Sequence, residues 1–209
     1  MNERLADALQ PKHCALVLQE VQEGVVGRDA VFPDLAAVAA EIALIEHCAA
    51  LAHAARAVGI PVFHCTAETR ADLLGANTNA RLFGAARKAG SRLAPGSDGV
   101  RVPSVIGVDE RDVVLPRHHG VGPLTGTQLD PMLRNAGVRT IIAAGVSLNV
   151  GVLDLIITGV NLGYQMVVPV DAVAGVPREY GDAVLANTIS VLAMESSTSE
   201  IIEAWVDLG

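Results

Sequence analysis

Thr140-Ile141-Ile142-Ala143-Ala144-Gly145-Val146-Ser147-Leu148-Asn149-Val150-Gly151-Val152 reads as a buried strand that turns and enters a helix. Residues 140–144 are a short apolar run with β-branched side chains, and residues 152–162 carry helical spacing that closes at Gly163. A strand that turns into a helix N-terminus presents backbone N–H groups above the sheet edge. The turn through Val146, Ser147, Asn149 and Val150 is therefore a candidate binding corner for a developing negative charge.

The same pattern repeats along the chain. Apolar strand-like runs recur at residues 15–18, 60–63, 113–115 and 165–168. Between them lie helical stretches at 35–58, closed by Gly59, at 128–136, closed by Gly137, and at 180–194. A last helical element is expected over 198–205, with Thr198 or Ser199 as N-cap and Trp205 packed inside. This alternation predicts an α/β three-layer sandwich, a mostly parallel, Rossmann-like central sheet flanked by helices. Residues 65–111 hold no clear strand and read as an excursion carrying a short helix near 79–89. The whole of 1–209 is read as one domain. In such sheets ligands bind beyond the carboxyl ends of the strands, which directs attention to residues 19–22, 64–67, 116–120 and 145–151.

Composition excludes several classes. A formal charge of −8 with only 3% aromatic residues argues against a nucleic-acid surface and leaves a small molecule or another copy of the chain as partner. The apolar region 141–160 is interrupted by Ser147, Asn149 and Asp154, so no membrane span is expected. Cys14, Cys48 and Cys65 are too sparse for a disulfide framework, and residues 1–10 lack an apolar signal core, so the cytoplasm is the expected compartment. The glycine spacing fits neither a dinucleotide nor a P-loop fingerprint, and no cofactor is expected.

The order of motifs resembles the isochorismatase-like hydrolase family over about residues 15–188. Leu16-Val17-Leu18-Gln19-Glu20-Val21-Gln22 resembles its first strand, with Glu20 where the family places a catalytic aspartate. Val121-Gly122-Pro123-Leu124-Thr125-Gly126-Thr127-Gln128-Leu129 resembles the segment after the family's catalytic lysine, and His118 falls at the lysine. The stretch 145–152 resembles the family's Gly-Val-x-x-Asn-Val-Cys-Val corner, with Gly151 at the nucleophilic cysteine. Asn161-Leu162-Gly163-Tyr164 and Asp171-Ala172-Val173-Ala174-Gly175 resemble the pairs that flank a late strand. The resemblance also implies a cis peptide at Val146–Ser147, self-association as a dimer or tetramer, and a small amide, ureide or vinyl ether as substrate. Nicotinamidase relatives bind a metal through an Asp-x-His segment, whereas His64-Cys65-Thr66-Ala67-Glu68 lacks that spacing, so no metal is expected.

All three triad positions therefore differ, to Glu20, His118 and Gly151. A glycine offers no side-chain atom to attack with, which removes thiolate chemistry. Isochorismatases within the family likewise resemble this chain in carrying glycine there, because vinyl-ether cleavage needs a proton donor and water. On that reading Glu20 is the general acid or base, with His118 facing it across the site. Arg117 and His119 supply positive charge or bind substrate, Gln22 completes the strand-end motif, and the 145–151 corner donates backbone N–H groups. Other assignments stand beside these: Glu20 paired with Arg117 for structural reasons, His118-His119 as a solvated loop, Asn149 as a helix cap, and Cys65 either as inert core or as an amidase nucleophile. A protein that keeps the fold only to bind or assemble is the competing class.

Overall fold

Each expected apolar run forms a strand: β1 (Cys14–Gln19), β2 (Val62–Ala67), β3 (Val113–Arg117), β4 (Thr140–Val146) and β5 (Gln165–Pro169). Two short strands, β6 (Val173–Ala174) and β7 (Met194–Ser196), complete a seven-stranded sheet. Its order is β3-β2-β1-β4-β5-β7, with β6 beside the end of β4, and every pairing is parallel. The computed structural model describes residues 3–88 and 90–208.

Nine α-helices are described: α1 (Glu3–Ala8), α2 (Glu23–Val26), α3 (Pro33–Glu41), α4 (Leu44–Ala57), α5 (Arg81–Lys88), α6 (Leu129–Asn135), α7 (Leu153–Asn161), α8 (Arg178–Asn187) and α9 (Thr198–Leu208). Strand alternation divides the core between the two sheet faces. Leu16 and Leu18 of β1 join Leu35, Leu44, Leu51 and Trp205 from α3, α4 and α9, whereas Ala15 and Val17 join Leu129, Leu133, Leu155 and Ile156 from α6 and α7. Both faces of the central strands β1 and β4 are thus covered, as a parallel sheet requires.

Two helical expectations need correction. The stretch 35–58 is not one helix, because Ala43 takes a left-handed backbone (φ 51°) and bends α3 against α4 by 65°. No single helix among the described residues is long and apolar enough to cross a membrane, and this bent pair puts its apolar side chains into the core. The helix expected over 180–194 stops at Asn187. After a 3₁₀ turn at Ile189–Val191, Met194 pairs with Val167 as the first residue of β7, and sheet pairing overrides local helical preference. In the excursion α5 occupies most of the expected 79–89 stretch, and Ala89 lies outside the described residues.

The carboxyl ends of β1, β2, β3 and β4 lie side by side. Gln19 is in register with Cys65 and Gly145, and Ala67 with Arg117. Gly145 (φ 109°) is required where β4 meets β1, since an added Cβ would lie 2.2 Å from the Gln19 carbonyl oxygen.

Candidate functional site

Immediately past β1 the chain turns sharply at Glu20, whose backbone is left-handed (φ 52°), an uncommon state for a residue with a side chain. The turn is held by the Glu20 N–H donating to the Cys65 carbonyl and the Gln22 N–H donating to the Glu20 carbonyl. It directs the carboxyl into a cavity of about 290 Å³ at the carboxyl edge of the sheet. Glu20, Arg117, His118, His119, Ser147, Asn149, Val150 and Gly151 all line this space, so residues separated by 131 positions in the sequence (151 − 20) share one chamber.

The carboxyl is held by one oxygen. Arg117 donates Nη2–H to Oε1 of Glu20, and the side-chain amide of Gln19 donates to the same oxygen at 3.0 Å. Oε2 has no hydrogen-bond partner among the described residues. Glu20 keeps 19% of its side-chain surface and Arg117 only 7%. Burial pushes the Glu20 carboxyl above its ordinary range, against the pull of Arg117's charge and hydrogen bond. Glu68, Thr69, Asn77, Ser147 and Asn149 add to the polar lining.

Arg117 spends its other terminal nitrogen on the carbonyls of His119 and Gly120. Both terminal nitrogens are thus engaged within the protein, so of the two expected roles the guanidinium supplies positive charge beside Glu20, and it positions that carboxyl and the 119–120 turn. It is Arg117 that pairs with Glu20. His118, expected opposite that carboxyl, lines the chamber, its Nδ1 buried and without a hydrogen-bond partner among the described residues. His119 is exposed and its ring lies against Gly126.

Two expected residues stand outside the chamber lining. Gln22 is fully buried, donating to the carbonyls of Ala67 (3.0 Å) and Gly99 (3.1 Å) and accepting from the Ala67 N–H (2.6 Å), so it fastens the excursion to β2. Val146 is buried in the core, and its peptide bond to Ser147 is cis. The corner after β4 is a π-helical turn, Leu148–Val152, rather than an open helix N-terminus. The N–H groups of Val150 and Val152 both donate to the Ser147 carbonyl at 3.0 Å, so the Val150 N–H of the expected 145–151 donor corner is spent within the turn. Asn149 caps no helix; it exchanges hydrogen bonds of 3.3 Å with the backbone of Val176 and accepts one from Ser147 Oγ at 2.7 Å.

Sequence reasoning missed three contributions. Phe32 and Leu35, at the start of α3, and Leu82, Phe83 and Leu93 of the excursion make the chamber largely apolar. Asn77 accepts a hydrogen bond from the Gly120 N–H at 2.7 Å and ties the excursion across the site. The third is the role of Gln19, which lies in the strand-end region 19–22 but has no part in the expected site: it is a fully buried amide closing an otherwise apolar strand, and that lone polar residue in Cys-Ala-Leu-Val-Leu-Gln was the available signal. Cys65 is buried among α6 and α7 side chains with its thiol pushed up to about 12 by burial, so it is inert core. Among the described residues no group of three or more His, Cys, Asp or Glu is placed to hold a metal ion.

Residues 14–200 match the isochorismatase domain family. The isochorismatase family protein YwoC of Bacillus subtilis (strain 168) is 31% identical over 98 residues, which are 47% of this chain and 51% of that protein. The chain thus spans about half the length of the curated relatives it matches. A cysteine hydrolase from Pseudomonas syringae pv. phaseolicola has a similar structure, with a TM-score of 0.79 and 21% identity over 95% of each chain. N-carbamoylsarcosine amidase from Thermoplasma acidophilum gives a TM-score of 0.70 at 22% identity, covering 89% of this chain and 96% of that one. At such identities the likeness is one of fold.

Proposed function

Because the chain belongs to the isochorismatase family, we propose that it is a hydrolase that cleaves a small, mostly uncharged molecule by acid-assisted attack of water, with no enzyme nucleophile. The observation that carries this is the single-sided grip on Glu20: Oε1 accepts from Arg117 and Gln19, which leaves Oε2 to hold the proton toward an apolar chamber. With its carboxyl raised by burial, Glu20 stays protonated over a wider range than a solvated carboxyl does. The left-handed backbone at Glu20 supports the same reading, since strained residues cluster at functional sites.

In the reaction the Oε2 proton passes to the substrate, for a vinyl ether to its terminal carbon, leaving an electron-poor carbon beside the ether oxygen. Water adds to that carbon and returns a proton to the Glu20 carboxylate, and the resulting hemiacetal or hemiketal opens to carbonyl and alcohol. Gly151 supplies no attacking atom, and Arg117 stabilises the carboxylate while it is charged. The apolar walls and the engaged Arg117 favour an uncharged substrate body, and a chamber of about 290 Å³ suits a small one.

Turnover of a panel holding isochorismate, uncharged vinyl ethers and small amides tests the proposal. Glu20→Gln is expected to lower kcat by ~10²-fold or more. The rate should fall as pH rises through the elevated Glu20 range, since the acid is lost there. A second reading, a binding protein without turnover, draws on the same closed pairing of Glu20 with Arg117. It gains if no panel member is cleaved while one of them raises the melting temperature.

A further inference from the structure

Gly151 is not a glycine for backbone reasons. Its φ lies outside the left-handed region, and the residue sits inside the π-helical turn, where any L-residue is tolerated. What surrounds it is restrictive. A Cβ built at 151 lies 2.9 Å from Gln19 Nε2, 3.2 Å from the Val121 carbonyl oxygen and 3.4 Å from the Val146 carbonyl oxygen. Two of those neighbours are backbone and cannot retreat cheaply. The third is an amide that donates to Glu20 Oε1 at 3.0 Å and to the Val121 carbonyl at 3.3 Å. Any side chain at 151 must therefore push aside the group that steadies Glu20.

Gln19 itself is fully buried, and its Oε1 has no hydrogen-bond partner among the described residues. A buried unsatisfied carbonyl is costly, and an apolar side chain at the end of this apolar strand would avoid that cost. The residue is thus explained by what its Nε2 does rather than by packing. Resting on the proposed role of Glu20, we propose that Gln19 is the positioning residue of this site: its amide fixes Glu20 Oε1 and the 121 loop, and fills the room that a side chain at position 151 would need. Gln19 and Gly151 act as one unit, which commits the site to chemistry without an enzyme nucleophile.

The unit is tested by crossing Gly151→Ala with Gln19→Val in the full chain, with Gln19→Ala in reserve should Gln19→Val not fold. Gly151→Ala is expected to lower the melting temperature in the Gln19 protein and to lower it by less than half as much once the amide is gone. Equal losses in both backgrounds overturn the steric half. For the positioning half, the Glu20 carboxyl is titrated by carbon-13 NMR. Its midpoint is expected to move to higher pH in the Gln19 variants, because a donor to the charged form has been removed. An unmoved midpoint overturns that half, since a purely structural glutamine would not act on it. Neither measurement requires turnover, so a failed panel would count against the hydrolase and leave the Gln19–Gly151 result standing.

Discussion

Asp154 shows how one carboxylate near the chamber can work against the fold. Its Oδ2 is buried with no partner among the described residues, covered by Gly122, where an added Cβ would fall 1.5 Å away. Burial raises its pKa, and the charge of Arg117 only partly offsets this. With the folded value above the unfolded one, the native state holds the proton more tightly, so stability falls as pH rises from the ordinary carboxyl range through the elevated one. Asp154→Asn should then melt higher than the parent at about pH 8, with the difference closing by about pH 4. A lower melting temperature at the higher pH would mean that the carboxylate is engaged after all. At this scale the sequence was partly transparent. Glu20 and Arg117 are strand-end residues and identifiable as such, whereas the use of a single carboxyl oxygen and the burial of Gln22 depend on contacts up to 97 residues apart (117 − 20) that no local pattern encodes.

Between elements, a second buried polar network lies away from the chamber. Arg56 of α4 donates to Asp112 through Nε (3.2 Å) and Nη2 (2.6 Å), and to the carbonyls of Ile106 (2.9 Å) and Gly107 (3.1 Å). Asp112 also accepts from His64 Nε2 of β2 and from the Asp109 N–H, both at 3.0 Å. The cluster thus locks the returning end of the excursion onto α4 and β2 just before β3. Asp112 and His64 keep 1% of their side-chain surface, so Asp112→Asn is expected to cost about 3 kcal/mol in chemical denaturation, the penalty for leaving a buried cation unpaired. Burial lowers the His64 pKa, with Asp112 pulling the other way, so the unfolded chain takes up protons first on acidification. Stability should fall as pH drops below the ordinary imidazole value, and His64→Asn should flatten that part of the profile. The elements themselves were legible wherever apolar runs end in glycine. The break at Ala43 was not, since no glycine or proline marks it, and β7 is a strand only because β5 lies beside it.

At the scale of the whole molecule, the parallel sheet brings a polar floor to one edge, and the excursion between β2 and β3 roofs it with apolar side chains. This division of labour separates folding from binding. Leu82 is 39% exposed and Phe83 only partly buried, so neither stabilises the empty protein as a core residue would. Phe32, just before α3, and Leu35 within it, by contrast, pack with the main core, so shortening them would confound the two effects. Phe83→Ala is therefore the informative change. Its ligand-free melting temperature should stay within a few degrees of the parent, because partly exposed apolar surface contributes only about 1 kcal/mol. With benzamide as an uncharged probe, the parent should melt higher as the probe concentration rises, and the variant should lose most of that gain. If Phe83→Ala responds to benzamide as fully as the parent does, small uncharged molecules do not seat against the excursion, and the roof serves the fold rather than the site.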